Sequence, residues 1–349
     1  MALGIPRVES TKAIFVGSGT VISFGQFYSN RHAVWFVNGN FDMSKNENMT
    51  FKFSGKSFDS SKDDMVRVAG PGENIQVGEL EVHVMSAIHR QDYPLPGAFN
   101  VLLVGWADKE SRNQSFVCCL GNAMNAGNMI EAEAKLLYFD NRVHVEMHPA
   151  LFVCTLANTS SALDLRYVAF AEKSCDVNMT RGLDITLPKD GTNKIGICAK
   201  MAYGDLDPEL LVEWFEFAKL VGVDVVQVFY HIVSERAMDV FRYYENTGFV
   251  VLLPITLAVK KGTGLQFALE NRYDSLILNS LGFGSSPRVY GTSEGEVPRG
   301  TVVKLWMDGK VTLNDCWHRL SRYDFVVIMD FDELLLPSLP HKTLLEVFQ

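Results

Sequence analysis

Hydrophobic and polar positions along the chain fall into two regimes that meet near LPKDGTNK, Leu187 to Lys194. Before that point the apolar residues come in short runs with loose alternation: LEVHVMSAI, AFNVLLVGWA, SFVCCLGN and NRVHVEMH. Turn-rich pieces such as FDSSKDD and DYPLPG separate them. Short runs at modest spacing, with little helical periodicity, predict the strands of a β-rich, sandwich-like domain over residues 1–190. After the boundary, continuous apolar runs alternate with helical patterns. IGICAKM, VDVVQVFYHI, FVVLLPI and DFVVIMDFD predict strands. DPELLVEWFEFAKLVG predicts a helix with Asp207 as N-cap, Pro208 in the first turn and Gly222 as its stop. SERAMDVFRYYENTG predicts a second, from Ser234 to Gly248, and LNDCWHRLSRY a third. Strands apolar on both faces, alternating with helices, imply an α/β domain with a parallel sheet covered on both sides over residues 191–349. An insert near 257–300 has no place in this rhythm, and a loop of that length is usually functional or disordered.

Composition narrows the function classes. Apolar residues make up 47% and charged residues 21%, an ordinary globular balance. A net charge of -9 argues against a nucleic-acid binder, which would carry a basic face. An acidic protein that handles a phosphorylated ligand needs a cation between the two. Ala13 to Phe27, AIFVGSGTVISFGQF, is the nearest approach to a membrane anchor. Gly, Ser, Thr and Gln dilute it below the roughly 20 apolar residues a span needs, so two short strands are expected there. No secretory signal pattern is evident. Four Asn-X-Ser/Thr sequons, at Asn48, Asn113, Asn158 and Asn178, point to a lumenal chain. None of the six cysteines forms a Cys-x-x-Cys pair, which argues against zinc. Lumenal cysteines would pair in an order that spacing does not reveal. Cys118 and Cys119, pointing to opposite faces of a strand, would need different partners.

The chemistry concentrates in FVVIMDFDELLLP, Phe325 to Pro337. Ligands of open α/β sheets bind at the carboxyl ends of the strands, and Asp330 and Asp332 stand at such an end. Two residues apart on a strand, their carboxylates would share one side and could hold a hard cation, Mn2+ or Mg2+, with oxygen ligands. That cation would bridge to a diphosphate and neutralise it. A bare Asp-x-Asp is more often a solvated strand end, but this pair closes a parallel-sheet strand at the expected place, which makes the two readings about equal. A phosphatase of the haloacid-dehalogenase type would want Thr or Val where Leu334 stands, and would place its motif on the first strand. HVEMH, His144 to His148, spreads its two histidines about 13 Å apart on a strand, too far to share a metal. GSGTVI at Gly17 and GTGLQF at Gly262 lack the third glycine of the dinucleotide fingerprint. No Walker loop is present.

Taken together, IGICAKMAYGD, LLVEWFEFAKLVGVDVVQVFYH, VFRYYENTGFVVLLP, LNDCWHRL and YDFVVIMDFDELLLP resemble, in order, the core of glycosyltransferase family 92. EVHVMSAIHR, Glu81 to Arg90, is similar to a strand of that family's amino-terminal part. The resemblance implies a GT-A-like, Rossmann-like nucleotide-sugar-binding domain and a metal-dependent transfer of a hexose. The expected donor is UDP-galactose and the expected acceptor a glycan. Asp330 and Asp332 match the metal-binding pair, with Glu333 beside them. Lys200, Tyr203 and Gly204 fall where the uridine would sit. Asn314 and Asp315 match a piece expected to support the nucleotide, and Glu213 matches a glutamate of the first helix. The family is Golgi-membrane-attached with a lumenal catalytic part, although no anchor is evident in this sequence. Chains of this fold continue well past the Asp-x-Asp, so the acceptor site and any catalytic base are expected beyond Gln349, and no base is assigned. The alternative is a non-catalytic relative whose β-rich half binds a glycan or a partner.

Overall fold

The computed structural model describes residues 12–15, 24–28, 33–37, 65–67, 73–77, 80–122, 129–140, 147–156, 165–172, 174–175, 182–256, 258, 299–337 and 340–348. The expected insert, His144, Glu146, and the sequons at Asn48, Asn158 and Asn178 lie outside them. In chain order the strands of the first half are β1 (Lys12–Phe15), β2 (Phe24–Tyr28), β3 (Ala33–Val37), β4 (Met65–Arg67), β5 (Glu73–Val77), β6 (Leu80–Arg90), β7 (Phe99–Ala107), β8 (Phe116–Gly121), β9 (Ile130–Phe139), β10 (His148–Leu156), β11 (Tyr167–Ala171) and β12 (Leu183–Thr186). The second half adds β13 (Gly191–Ala199), β14 (Ala202–Gly204), α1 (Pro208–Leu220), β15 (Val225–Ser234), α2 (Glu235–Asn246), β16 (Val250–Pro254), α3 (Arg299–Arg319), β17 (Tyr323–Met329), β18 (Glu333–Pro337) and α4 (Leu344–Phe348). Ala13 to Phe27 contributes the two strands β1 and β2. Among the described residues no helix is long and apolar enough to cross a membrane.

The β-rich half corrects the expected fold. A sandwich would be two sheets face to face, but β12, β11, β8, β9, β10, β7 and β6 follow one another in a single sheet, and β12 pairs again with β6. Ile185 opposite Ala87 and Thr186 opposite Ile88 close this sheet into a seven-stranded barrel, with β5 added outside on β6. Short, turn-punctuated strands suit either architecture. The pairing that decides between them joins residues about a hundred positions apart and leaves no local trace. Curvature is helped where β6 shifts register between Val84 and Ser86, opposite Gly105 of β7.

The second sheet also departs from a self-contained parallel unit. β16, β15, β13 and β17 run parallel in that spatial order, with β14 continuing beside β15. The first half supplies β1, parallel along β17, and β4, antiparallel along β15, so the sheet is mixed. β18 leaves it to pair with β3, which pairs in turn with β2. The helix caps follow their residues. The Asp207 carboxylate accepts from Glu209 N at 2.9 Å, and the Ser234 hydroxyl accepts from Ala237 N at 3.4 Å.

Alternation sorts the side chains into three apolar layers. Val101, Leu103, Phe116, Phe152 and Phe170 fill the barrel interior. Ile195, Ile197, Val226, Val327 and Phe331 face α1 and α2 through Trp214, Phe215 and Phe241. Between them lies a shared core. The outward residues of β6, β7 and β10 (Ile88, Leu102, Trp106 and Val153) meet Val311 and Trp317 of α3 and Leu320 just after it, which in turn cover Val326 and Ile328 of β17. Polar groups tie the same contact. Lys310 donates to Asp140 at 2.6 Å with both side chains buried, and Ser86 donates to the Asp315 carboxylate. All six cysteines are paired: Cys118–Cys154 inside the barrel, Cys119–Cys175 outside it, and Cys198–Cys316 joining β13 to α3. The neighbours Cys118 and Cys119 do take different partners.

Candidate functional site

Apolar side chains carry β13 and β17 side by side through the core, with Ala199 opposite Met329. At their carboxyl ends both strands give way to polar residues. Lys200 follows β13, and Asp330 follows β17. Backbone pairing continues one step further, Lys200 N donating to Met329 O at 3.2 Å. The spatial order β16-β15-β13-β17 means that sequence order reverses between these two strands, and such a reversal opens a crevice at their carboxyl ends.

Asp330 to Glu333 form a tight turn, so the two aspartates owe their placement to turn geometry and not to strand alternation. Glu333 N donates to Asp330 O at 3.2 Å, and Asp330 N donates to a carboxylate oxygen of Glu333 at 2.9 Å. Phe331 pins the turn by burying its ring against Trp214, Phe215 and Phe241. Trp214 adds a hydrogen bond from its indole nitrogen to Glu333 O at 2.8 Å. With Phe331 anchored in the core, the flanking Asp330 and Asp332 remain half-buried and within reach of solvent.

The electrostatics follow from three acids in four residues. Lys200 Nζ lies 2.6 Å from Asp330 Oδ2, with the two side chains 40% and 29% exposed. Burial is the main cause that pushes the Glu333 carboxyl up to about 7, with Asp330 and Asp332 adding to it. The Asp330 N–H and the Lys200 charge pull the other way. Tyr203, in the short strand β14 that follows β13, is raised above the ordinary phenol range by burial and then by the Asp330 charge, so its hydroxyl stays protonated at neutral pH. Gly204 ends β14 at φ +85°, a conformation that glycine adopts without Cβ strain.

Lys200, Tyr203, Asp330 and Glu333 are therefore brought together. Asn314 and Asp315 are engaged elsewhere. Asn314 Nδ2 donates to Lys310 O at 2.9 Å along its own helix. Asp315 is fully buried. It accepts from Arg319 Nε at 2.5 Å, from Gln227 Nε2 at 3.3 Å and from the Ser86 hydroxyl, joining α3, the second sheet and the barrel. Glu213 is half-buried on α1. His148 is buried, with Nδ1 2.8 Å from Asp140 O.

The sequence alone did not single out the cluster at the barrel contact. Arg90 binds Asp92 through two nitrogens, at 2.8 and 2.7 Å, and reaches His318 Nδ1 at 2.9 Å. Tyr93 stacks on the His318 ring. The signal was an arginine at the end of an apolar strand, where burial demands partners.

The donor chemistry of the turn fits a hard divalent cation, because Asp330 and Asp332 offer carboxylate oxygens. Among the described residues no group of three or more His, Cys, Asp or Glu side chains is placed to hold a metal. A cation held here would complete its coordination from a phosphorylated ligand and water, as Mg2+ commonly does. Residues 193–349 match the family model of glycosyltransferase family 92, a match that begins inside β13, takes in the whole crevice and leaves out the barrel. No curated protein matches the chain.

Proposed function

Residues 193–349 belong to glycosyltransferase family 92, and from that premise we propose that the crevice between β13 and β17 binds the diphosphate of a nucleotide sugar, UDP-galactose, for transfer of the hexose to a glycan. The observation that carries this reading is the meeting of Lys200, Tyr203 and the Asp330–Glu333 turn at the strand-order reversal. Asp330 and Asp332 would hold Mn2+ or Mg2+, which when bound neutralises the charge of the leaving diphosphate. Glu333 and Trp214 hold the turn in shape. Tyr203, protonated, has a proton to donate to the nucleotide, and the Lys200–Gly204 segment is the place for the uridine.

Paired cysteines throughout the chain favour an oxidising compartment and so the Golgi lumen. The sequon at Asn113 supports the same location. Asn113 and Ser115 are both exposed at the end of a 3-10 turn, Glu110–Asn113. The barrel interior is filled by apolar side chains, so the β-rich half offers no apolar lumen for a ligand among its described residues.

The test is calorimetric titration of UDP into the folded chain, with and without Mn2+, beside Asp332→Asn. Binding should need Mn2+. The variant should lose more than the roughly 10–100-fold that removing an outer partner of a metal site costs. No binding by a folded chain in any condition would sink the donor-site reading and favour a binding role for the barrel's outer surface.

A further inference from the structure

The Lys200–Asp330 pair has a consequence that depends on the donor-site reading above. Lys200 is not placed by chance. Its backbone is locked to Met329, the residue before Asp330, so the ammonium and the carboxylate leave adjacent strand ends in parallel. An ammonium 2.6 Å from Asp330 Oδ2 stands where a divalent cation would have to approach that oxygen. Two cations cannot share one carboxylate oxygen at such range without strong repulsion. Lysine is suited to leaving. It is a point charge on a flexible four-carbon stem, and this one is 40% exposed. It also belongs to the loop beside which a diphosphate would lie.

We propose that Lys200 is the counter-ion of Asp330 when no metal is bound, that it must release this carboxylate before a divalent cation can bind, and that its ammonium then pairs with the ligand's diphosphate. Metal alone therefore binds weakly, because it displaces an ion pair and leaves a lysine without a partner. Metal with diphosphate binds well, because the displaced charge is paired again. The two ligands are coupled through one side chain, and linkage makes that coupling equal in both directions. The site disfavours free metal until a nucleotide arrives.

The experiment measures Mn2+ binding from the loss of its free paramagnetic signal, with no nucleotide and with saturating UDP. It compares the wild type, Lys200→Met, Lys200→Arg and Asp332→Asn. Lys200→Gln serves as a second neutral variant should the methionine disturb folding, which the thermal midpoint reports. In the neutral variants Mn2+ alone should bind tighter, on the order of fivefold, the scale expected for losing a half-exposed ion pair. UDP at saturating Mn2+ should bind weaker, so the coupling factor shrinks on both sides. Lys200→Arg should keep the wild-type pattern. If the wild type takes up Mn2+ in an Asp332-dependent way and the neutral variants bind it no tighter, the counter-ion role is wrong and the donor site stands. If no variant binds Mn2+ even with UDP, both fail.

Discussion

His318 is the side chain whose charge state the fold dictates most firmly. Burial, and then the Arg90 guanidinium, pull it down to about 3. An arginine can only donate, so Nδ1 accepts and the ring proton sits on Nε2. Between the ordinary value near 6.5 and about 3, the unfolded chain binds a proton that the folded chain refuses. Stability therefore drops as the pH is lowered through this window, by about 1.4 kcal/mol per unit. Urea unfolding at pH 7 and pH 5 should show the wild type losing about 2 kcal/mol more than His318→Gln. An equal loss in both would mean that the ring protonates inside the fold. Such a partnership is illegible in sequence, since Arg90 and His318 lie 228 positions apart. The same holds for Asp315, which stands beside Asn314 in a helical pattern that reveals nothing of Ser86 or Gln227. Asp330 and Asp332 were legible because carboxylates ending an apolar run conflict with burial, and that conflict is local.

At the scale of elements, the strands and helices of the second half could be found because their two periods differ and their caps are local. β9 was not found. IEAEAKLLYF is rich in Glu, Ala, Lys and Leu, all good helix formers. Its burial alternates instead, Glu131, Glu133 and Lys135 outward against Ala132 and Ala134 inward, and the barrel overrides the propensity. α3 begins well before the expected Leu313. β7 carries the strictest steric demand. A Cβ at Gly105 would lie 2.0 Å from His83 O, a backbone atom of the shifted β6. Gly105→Ala should therefore cost about 1–3 kcal/mol, the range of overpacking, read as a lower urea midpoint. An unchanged midpoint would show that β6 can draw back freely.

For the whole molecule, the expected boundary near residue 190 falls in the connection between β12 and β13, yet the core ignores it. Ile88 and Trp106 of the barrel share one apolar cluster with Cys198 and Val326 of the second sheet. Strand-by-strand patterns show which residues are buried but not against which half. The barrel was therefore beyond the sequence while several of its strands, β6, β7 and β8, were not. The three disulfides and the exposed Asn113 belong to this scale too, since the proposed lumenal location concerns the entire chain. Made through the secretory route, the protein should carry a glycan on Asn113 that peptide-N-glycosidase removes with a shift in mass. Asn113→Gln should lack that glycan. An unmodified Asn113 peptide from material made by that route would count against the lumenal location.

The shared core also has a meaning in time. The barrel can close once β12 is made, but α3, which covers its outer apolar face, is encoded more than a hundred residues later. At roughly 5–20 residues per second, Leu102, Trp106 and Val153 would wait on the order of ten seconds beside the ribosome without their cover. A nascent chain halted in that interval presents a finished barrel with one greasy side, the kind of surface that chaperones hold.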